Sequence, residues 1–362
     1  MRRSYTAEWL SADQRPQWDA FVDQQPQGTI FHRSEWLTAM DGRVSFLVAR
    51  DGQGQIVAGV PLVPGRLGWY RTYRPPIFCR FAGAVLSQPR GAKLISQHTE
   101  QKAKALALLE GLGRADWVRF PLHVSNGDAQ PYVWHGFGVT VSYTYRISGG
   151  LKAEEAWSQI TSAQRSAVRK AQKLGIQVRA EDKGDVLLDF VSKTFQRQKL
   201  PRQEALVPAY ARGIETALRL GRGTVYVARD PQGVPHAASL VVWDPRTSYH
   251  ILHGGNPDLR SSGAGSLVVW QCIQDALGRG QTFDFEGSTI PGVELHYRLW
   301  GGQLCPYLCV ERVTSRLLGL LVWRQRRKQA REIQRMFARQ SPHAESAAEP
   351  PSDAPSRPEE SP

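Results

Sequence analysis

Apolar and polar positions along this 362-residue chain fall into a rhythm that occurs twice. Val48-Ala49-Arg50-Asp51-Gly52-Gln53-Gly54 returns as Val227-Ala228-Arg229-Asp230-Pro231-Gln232-Gly233, identical at six of seven positions and offset by 179. A β-rich run precedes each copy, and a strand-like run follows each, at 56–63 and 237–243. Each copy therefore predicts a hairpin closed by Asp-Gly-Gln-Gly or Asp-Pro-Gln-Gly. A helical pattern then leads to a strand in both halves: 100–112 before 117–120, and 266–277 before 282–285. Hairpin, crossover helix and strand, twice in one order, predict a duplicated α/β unit with mixed sheets.

The strand-like run 140–147 ends the first unit, and the boundary falls at Ser148-Gly149-Gly150. The spacing then predicts one helix over 152–174, with Trp157, Ile160, Ala163, Ala167, Ala171 and Leu174 as its buried stripe and Gly175 as its cap. Arg165, Arg169 and Lys173 step by four along another face, beside Lys170. That face is either a solvated surface or a phosphate-contacting wall of a cleft. The expected organisation is 1–147, 148–314, a basic amphipathic helix at 315–340, and a disordered tail at 341–362 rich in Pro, Ser, Ala and Glu.

With 41% hydrophobic residues and 11 Trp, each half can bury a core. Cys79, Cys272, Cys305 and Cys309 include one C-x-x-x-C pair but no second pair to complete a metal site. Buried reduced thiols and no bound metal are expected. No signal pattern opens the chain, and its apolar runs fall far short of the ~20 residues that span a bilayer. A soluble cytoplasmic protein is expected. The net charge of +13 is uneven: 316–339 carry eight Arg or Lys against Glu332 alone, and the residues after them are acidic. Such a balance suits a polyanionic partner: a nucleotide-linked substrate, coenzyme A, transfer RNA, an acidic carrier protein or anionic lipid. For 316–339, packing on the body and contact with the inner face of a membrane are both open.

The chemistry concentrates in 247–302. A strand runs into His253-Gly254-Gly255; Arg260-Ser261-Ser262-Gly263-Ala264-Gly265 then opens a helix. Glycines there turn backbone N–H groups toward one concavity, and the helix adds its dipole, so Arg260, Ser262, Gly263, Ala264 and Gly265 are the candidate phosphate cradle. A glycine-rich turn without a ligand is the alternative. In Phe283-Asp284-Phe285-Glu286-Gly287-Ser288, period-two alternation puts both acids on one face. Glu286 is the first candidate base, His253 the second, and Asp284 either catalytic or structural. Arg298 can fork onto an anion or pair with Glu294 one helical turn back.

Several segments resemble one family. Arg165-Ser166-Ala167-Val168-Arg169-Lys170-Ala171-Gln172-Lys173-Leu174-Gly175-Ile176 is similar to a signature helix of FemAB-like proteins and their relatives with a BioF2-like acetyltransferase domain, in the GNAT superfamily. His253-Gly254-Gly255, 283–288 and Arg298-Leu299-Trp300-Gly301-Gly302 resemble its later signatures, and 28–37 its opening segment. The resemblance implies two tandem GNAT-like domains facing a shared cleft, the second catalytic, and transfer of an acyl or aminoacyl group to an amine. It implies Arg165, Arg169, Lys170, Arg298, Trp300 and Ser288 as substrate-binding positions. The complete Arg-x-x-Gly-x-Gly run favours acyl-CoA or acyl-carrier protein as co-substrate, with no tightly bound cofactor. The acceptor is then an anionic small molecule or a lipid-linked envelope or polysaccharide precursor. Aminoacyl-tRNA is the alternative donor, although no long helical hairpin of the kind that holds RNA in some members is evident. A non-catalytic scaffold or RNA-binding protein is the rival of another class. On the acceptor side, Trp69, Tyr70, Arg71 and Arg74 are the expected contacts, and a purely structural role is open for all four.

Overall fold

Both copies of the repeated heptapeptide close hairpins, and the same bonds build both turns. In the computed structural model, which describes residues 5–197 and 204–340, Asp51 Oδ1 accepts from the amides of Gln53 and Gln55, each at 3.0 Å. Asp230 Oδ1 does the same for Gln232 and Val234. Arg50 donates to the Gly54 carbonyl and to Glu8, as Arg229 does to Gly233 and Glu181. Gly54 and Gly233 take the left-handed φ of +76° and +81° that these turns require. The short acidic side chain builds the turn, and the arginine ties it to the neighbouring strand.

Thirteen strands are present among the described residues: β1 Thr6–Trp9, β2 Ser45–Arg50, β3 Ile56–Leu67, β4 Tyr70–Arg74, β5 Val85–Leu86, β6 Trp117–Pro121, β7 Gly138–Ile147, β8 Gln177–Glu181, β9 Gly223–Arg229, β10 Pro235–Trp243, β11 Thr247–Gly255, β12 Thr282–Asp284 and β13 Gln303–Val313. They form one mixed sheet in the order β1-β2-β3-β4-β6-β13-β7-β12-β11-β10-β9-β8, with β5 on β3. The order reads alike from both ends. In each half an antiparallel meander meets a parallel neighbour, β4 with β6 and β11 with β12. Crossover helices Leu94–Gly111 and Ala264–Gly278 connect those parallel strands.

At the centre the final strands are exchanged. β7 pairs with β12 of the second half, β13 pairs with β6 of the first, and β7 and β13 pair with each other. Trp36 and Met40 of the first half share one core with Tyr210, Ile214 and Tyr249 of the second.

The expected single helix at 152–174 is two, Ala153–Gln159 and Ser162–Lys173. Ile160 is extended at the break, and Arg165 donates to the carbonyls of Trp157, Ser158 and Ile160 at the end of the first helix. Val168 and Ala171 are buried, whereas Ala163 and Leu174 are exposed. Gly175 caps the second helix at φ +72°. Residues 316–340 form one helix, Arg316–Gln340; the expected tail at 341–362 lies outside the described residues.

Candidate active site

The parallel strands β11 and β12 pair only from Thr247–Thr282 to Tyr249–Asp284 and then part, β11 running on to Gly255. A β-bulge leaves Ile251 without a partner on β10, so His250 and His253 reach the same face. Where β12 ends, the chain turns sharply. Glu286 has φ +59° and Gly287 φ +64°, and a Cβ on Gly287 would lie 2.0 Å from the Tyr143 carbonyl. Left-handed backbone at a non-glycine residue costs about 1–3 kcal/mol. Among the described residues Phe78 and Glu286 are the two non-glycines with positive φ, and both line one cleft of about 660 Å³.

Asp284 holds this turn. Fully buried, it accepts at Oδ1 from Thr144 Oγ1 at 2.6 Å and from the Glu286 amide at 2.7 Å. Arg146 Nε lies 3.1 Å from Oδ2. Burial pushes its carboxyl pKa up, against the pull of Arg146 and these donors. Its contacts are those of a positioning residue.

Glu286 is the acid of the sequence-predicted pair that lines the cleft. Its side chain is 13% exposed, and Oε1 is buried without a hydrogen-bond partner. Burial raises the carboxyl to about 7; Arg80 opposes the shift and the Asp284 charge adds to it. Arg80 Nε stays 3.8 Å from Oε2, while Arg80 Nη1 donates to Tyr307 Oη at 3.0 Å. Phe78 packs on Tyr210, ring centroids 4.1 Å apart. Arg74 and Arg119 line the same cleft and make no ion pair among the described residues, Arg74 lying over the Trp117 ring. A proton-accepting carboxylate thus faces a wall that suits an anion.

His253 lies on the opposite face, with His250 and Phe285. Its side chain is exposed at the surface, while the groups packed around its ring and the nearby His296 push its pKa down. Ser239 Oγ sits 2.8 Å from its Nδ1, and His296 stacks on it. No hydrogen bond joins His253 to Glu286 among the described residues. His296 Nε2, Trp300 Nε1 and Thr161 Oγ1 are buried polar atoms without partners.

The glycine bend comes close to His253. Gly263 has φ +80°, and a Cβ there would lie 2.2 Å from the Ala167 carbonyl, so the helix Ser162–Lys173 closes one side. Ser262 Oγ contacts His236 Nδ1 and accepts from the Ala264 amide. Arg260 is exposed, and the position beside Gly265 faces His253 Nε2.

The remaining sequence candidates have other neighbours. Arg165 caps a helix, Arg169 lies over Trp157, and Lys170 is exposed. Arg298, 61% exposed, pairs with Glu294 at 3.5 Å. Trp300 is fully buried, and Ser288 Oγ accepts from the Ile290 amide. Of the four acceptor-side residues, Arg74 alone lines the cleft. Tyr70 contacts Ser315, the Arg71 amide donates to Asp116, and Trp69 caps the β3–β4 hairpin. Sequence reasoning missed Phe78, Arg80, Arg119, Tyr210 and Tyr307. Phe78 and Arg80 fall in the Arg- and aromatic-rich stretch 64–92, but Tyr307 reaches the cleft only through the strand exchange.

Residues 160–294, which include this acid and the glycine bend, match the family model described as acetyltransferase (GNAT) domain. That stretch is therefore similar to GNAT domains. Solved structures extend the likeness beyond those residues. FemX is 13% identical, covering 87% of this chain and 99% of its own, with a TM-score of 0.67. L-PGS from Bacillus licheniformis is 10% identical over 88% and 97%, with a TM-score of 0.50. The C-terminal domain of a protein named as a lysylphosphatidylglycerol synthetase from Agrobacterium fabrum is 11% identical over 86% and 95%, at 0.52. At these identities the likeness is one of fold. No curated protein matches the sequence.

Proposed function

We propose that this GNAT-fold chain is an N-acyltransferase in which Glu286 takes the proton of an acceptor amine bound in the cleft. The observation that carries this is an unpartnered buried carboxylate with a pKa raised to about 7, open to a cleft lined by arginines. At neutral pH such a group is divided between a form able to accept a proton and one able to return it. The acceptor's anionic portion would rest on Arg74 and Arg119, with its amine toward Glu286. The amine nitrogen attacks the acyl carbonyl, the carbon–sulfur bond of a thioester donor breaks, and the amine proton passes to Glu286 and on to the departing thiolate or solvent. Gly265 and Arg260 would face the donor's phosphates at the start of the helix Ala264–Gly278. A coenzyme A thioester or acyl-carrier protein supplies an activated acyl group. An anionic, lipid-linked amine is the acceptor class that fits the cleft's charge.

Transfer from aminoacyl-tRNA is a second reading, favoured by the exposed cations Arg169, Lys170 and Lys173 on the helix Ser162–Lys173 that flanks the bend. The deciding experiment follows donor loss with coenzyme A thioesters, acylated carrier protein and charged tRNA, for the native chain and Glu286→Gln. Thioester consumption that requires Glu286 supports the first reading. Consumption of charged tRNA alone supports the second. Equal donor loss by the native chain and the variant removes Glu286 from the reaction.

A further inference from the structure

The helix Arg316–Gln340 has two faces with different partners. Its inner face carries Val322, Gln325, Arg326 and Gln329 into the wall of the Glu286 cleft, and Arg326 pairs with Glu311. On the outer face, Leu317, Leu320, Leu321 and Trp323 are exposed over the first turns. Arg324, Arg327, Lys328, Arg331 and Arg335 continue the same outer face in the next turns. The apolar and cationic residues thus follow one another along one side of the helix rather than opposing each other across it.

A second element brings more apolar surface beside it. Ser315 Oγ donates to Tyr70 Oη at 3.3 Å and accepts from the Leu318 amide, so the β3–β4 hairpin lies against the start of the helix. At the tip of that hairpin Leu67 and Trp69 are exposed, Trp69 by 78%, between Arg66 and Arg71. Leucine and tryptophan held out in water beside arginines suit the boundary between lipid headgroups and acyl chains. A nucleic-acid backbone would use the cations but gain nothing from the four apolar side chains of the helix.

We propose that this surface docks on an anionic bilayer, with Leu67, Trp69, Leu317, Leu321 and Trp323 entering the interface and Arg324, Lys328 and Arg331 meeting headgroup phosphates. The cleft that the helix walls on its other side would then lie at the membrane surface, next to an acceptor carried by lipid. The docking itself does not depend on the acyl-transfer proposal, and its test needs no turnover.

The test is flotation of the full chain with phosphatidylcholine vesicles, with and without phosphatidylglycerol. The chain is expected to float with the anionic vesicles, to stay behind with the neutral ones, and to detach as salt rises. Arg324→Gln with Lys328→Gln and Arg331→Gln should weaken vesicle affinity on the order of a hundredfold. Trp69→Ser with Leu321→Ser should weaken it independently, and both variants should melt like the native chain because every substituted side chain is exposed. A native chain that stays in solution with anionic vesicles overturns the proposal, as does one that floats undiminished in both variants. Transfer RNA bound through the same cations, with vesicles ignored, overturns it in favour of a nucleic-acid surface.

Discussion

Arg80 holds its Nε 3.8 Å from Glu286 Oε2, near enough to act through its charge but beyond hydrogen-bond reach. The acid thus has a counter-charge and no donor, so burial prevails and its pKa stands at about 7. Removing the cation removes the main opposing influence. In Arg80→Met the pH–rate midpoint should move upward from about 7 by roughly one unit or more. An unchanged midpoint in a folded variant would show that Arg80 does not set the acid's titration.

The same burial makes folding sensitive to pH. In the unfolded chain Glu286 ionises near its ordinary 4.5, whereas in the folded chain it stays protonated to about 7. Between those values the folded state binds the extra proton, so stability falls as pH rises and the loss is complete above about 7. Glu286→Gln carries no such charge. Its unfolding free energy from denaturant titration should match the native chain near pH 4 and exceed it at pH 8 by roughly 1–3 kcal/mol. Turnover should drop by about 10²–10⁴. Parallel stability curves across pH would contradict the buried-charge account.

Asp284→Asn separates positioning from catalysis. The amide keeps one oxygen for the Thr144 hydroxyl and the Glu286 N–H but leaves Arg146 without its buried counter-charge. A loss of about 3 kcal/mol in unfolding free energy is expected. Because Asp284 also raises the Glu286 pKa, the activity midpoint should move down rather than vanish. Complete loss of turnover in a stably folded variant would instead make Asp284 a participant in the chemistry.

Two glycines of the same bend should behave differently. Gly263→Ala meets a backbone carbonyl at 2.2 Å and needs a left-handed φ, so the variant should be strongly destabilised. Gly265→Ala meets only His253 Nε2, at 3.4 Å, and should melt almost normally. If the donor's phosphates lie there, that variant raises the donor KM severalfold. Unchanged donor kinetics would move the donor elsewhere.

Much of the architecture was legible because the repeated turn is short-range chemistry. Aspartate, glycine and arginine build the same hydrogen bonds wherever the heptapeptide occurs. Period-two alternation set the two acids apart from Phe283 and Phe285, but β12 ends at Asp284 and a left-handed turn, not the strand, places Glu286. The break at Ile160 was not legible, because both helices are amphipathic and only Arg165 bonding to carbonyls there marks the end of the first. His253 drew notice as a histidine beside glycines, and it lies on the face of the sheet away from the Glu286 cleft. Tyr307, Arg80 and Phe78 meet Glu286 only in three dimensions, and no periodicity encodes that meeting.

The exchange of β7 and β13 also governs how this molecule can come into being. While the chain is being synthesised, the first meander has no neighbour for the open edge of β6 until β13 has emerged. An early fragment would expose that edge to other chains. Severing the two halves would leave each lacking the strand that closes its sheet. Assembly therefore belongs to the full-length polypeptide, and the acid, its arginine and the tyrosine on β13 come together only at that last step.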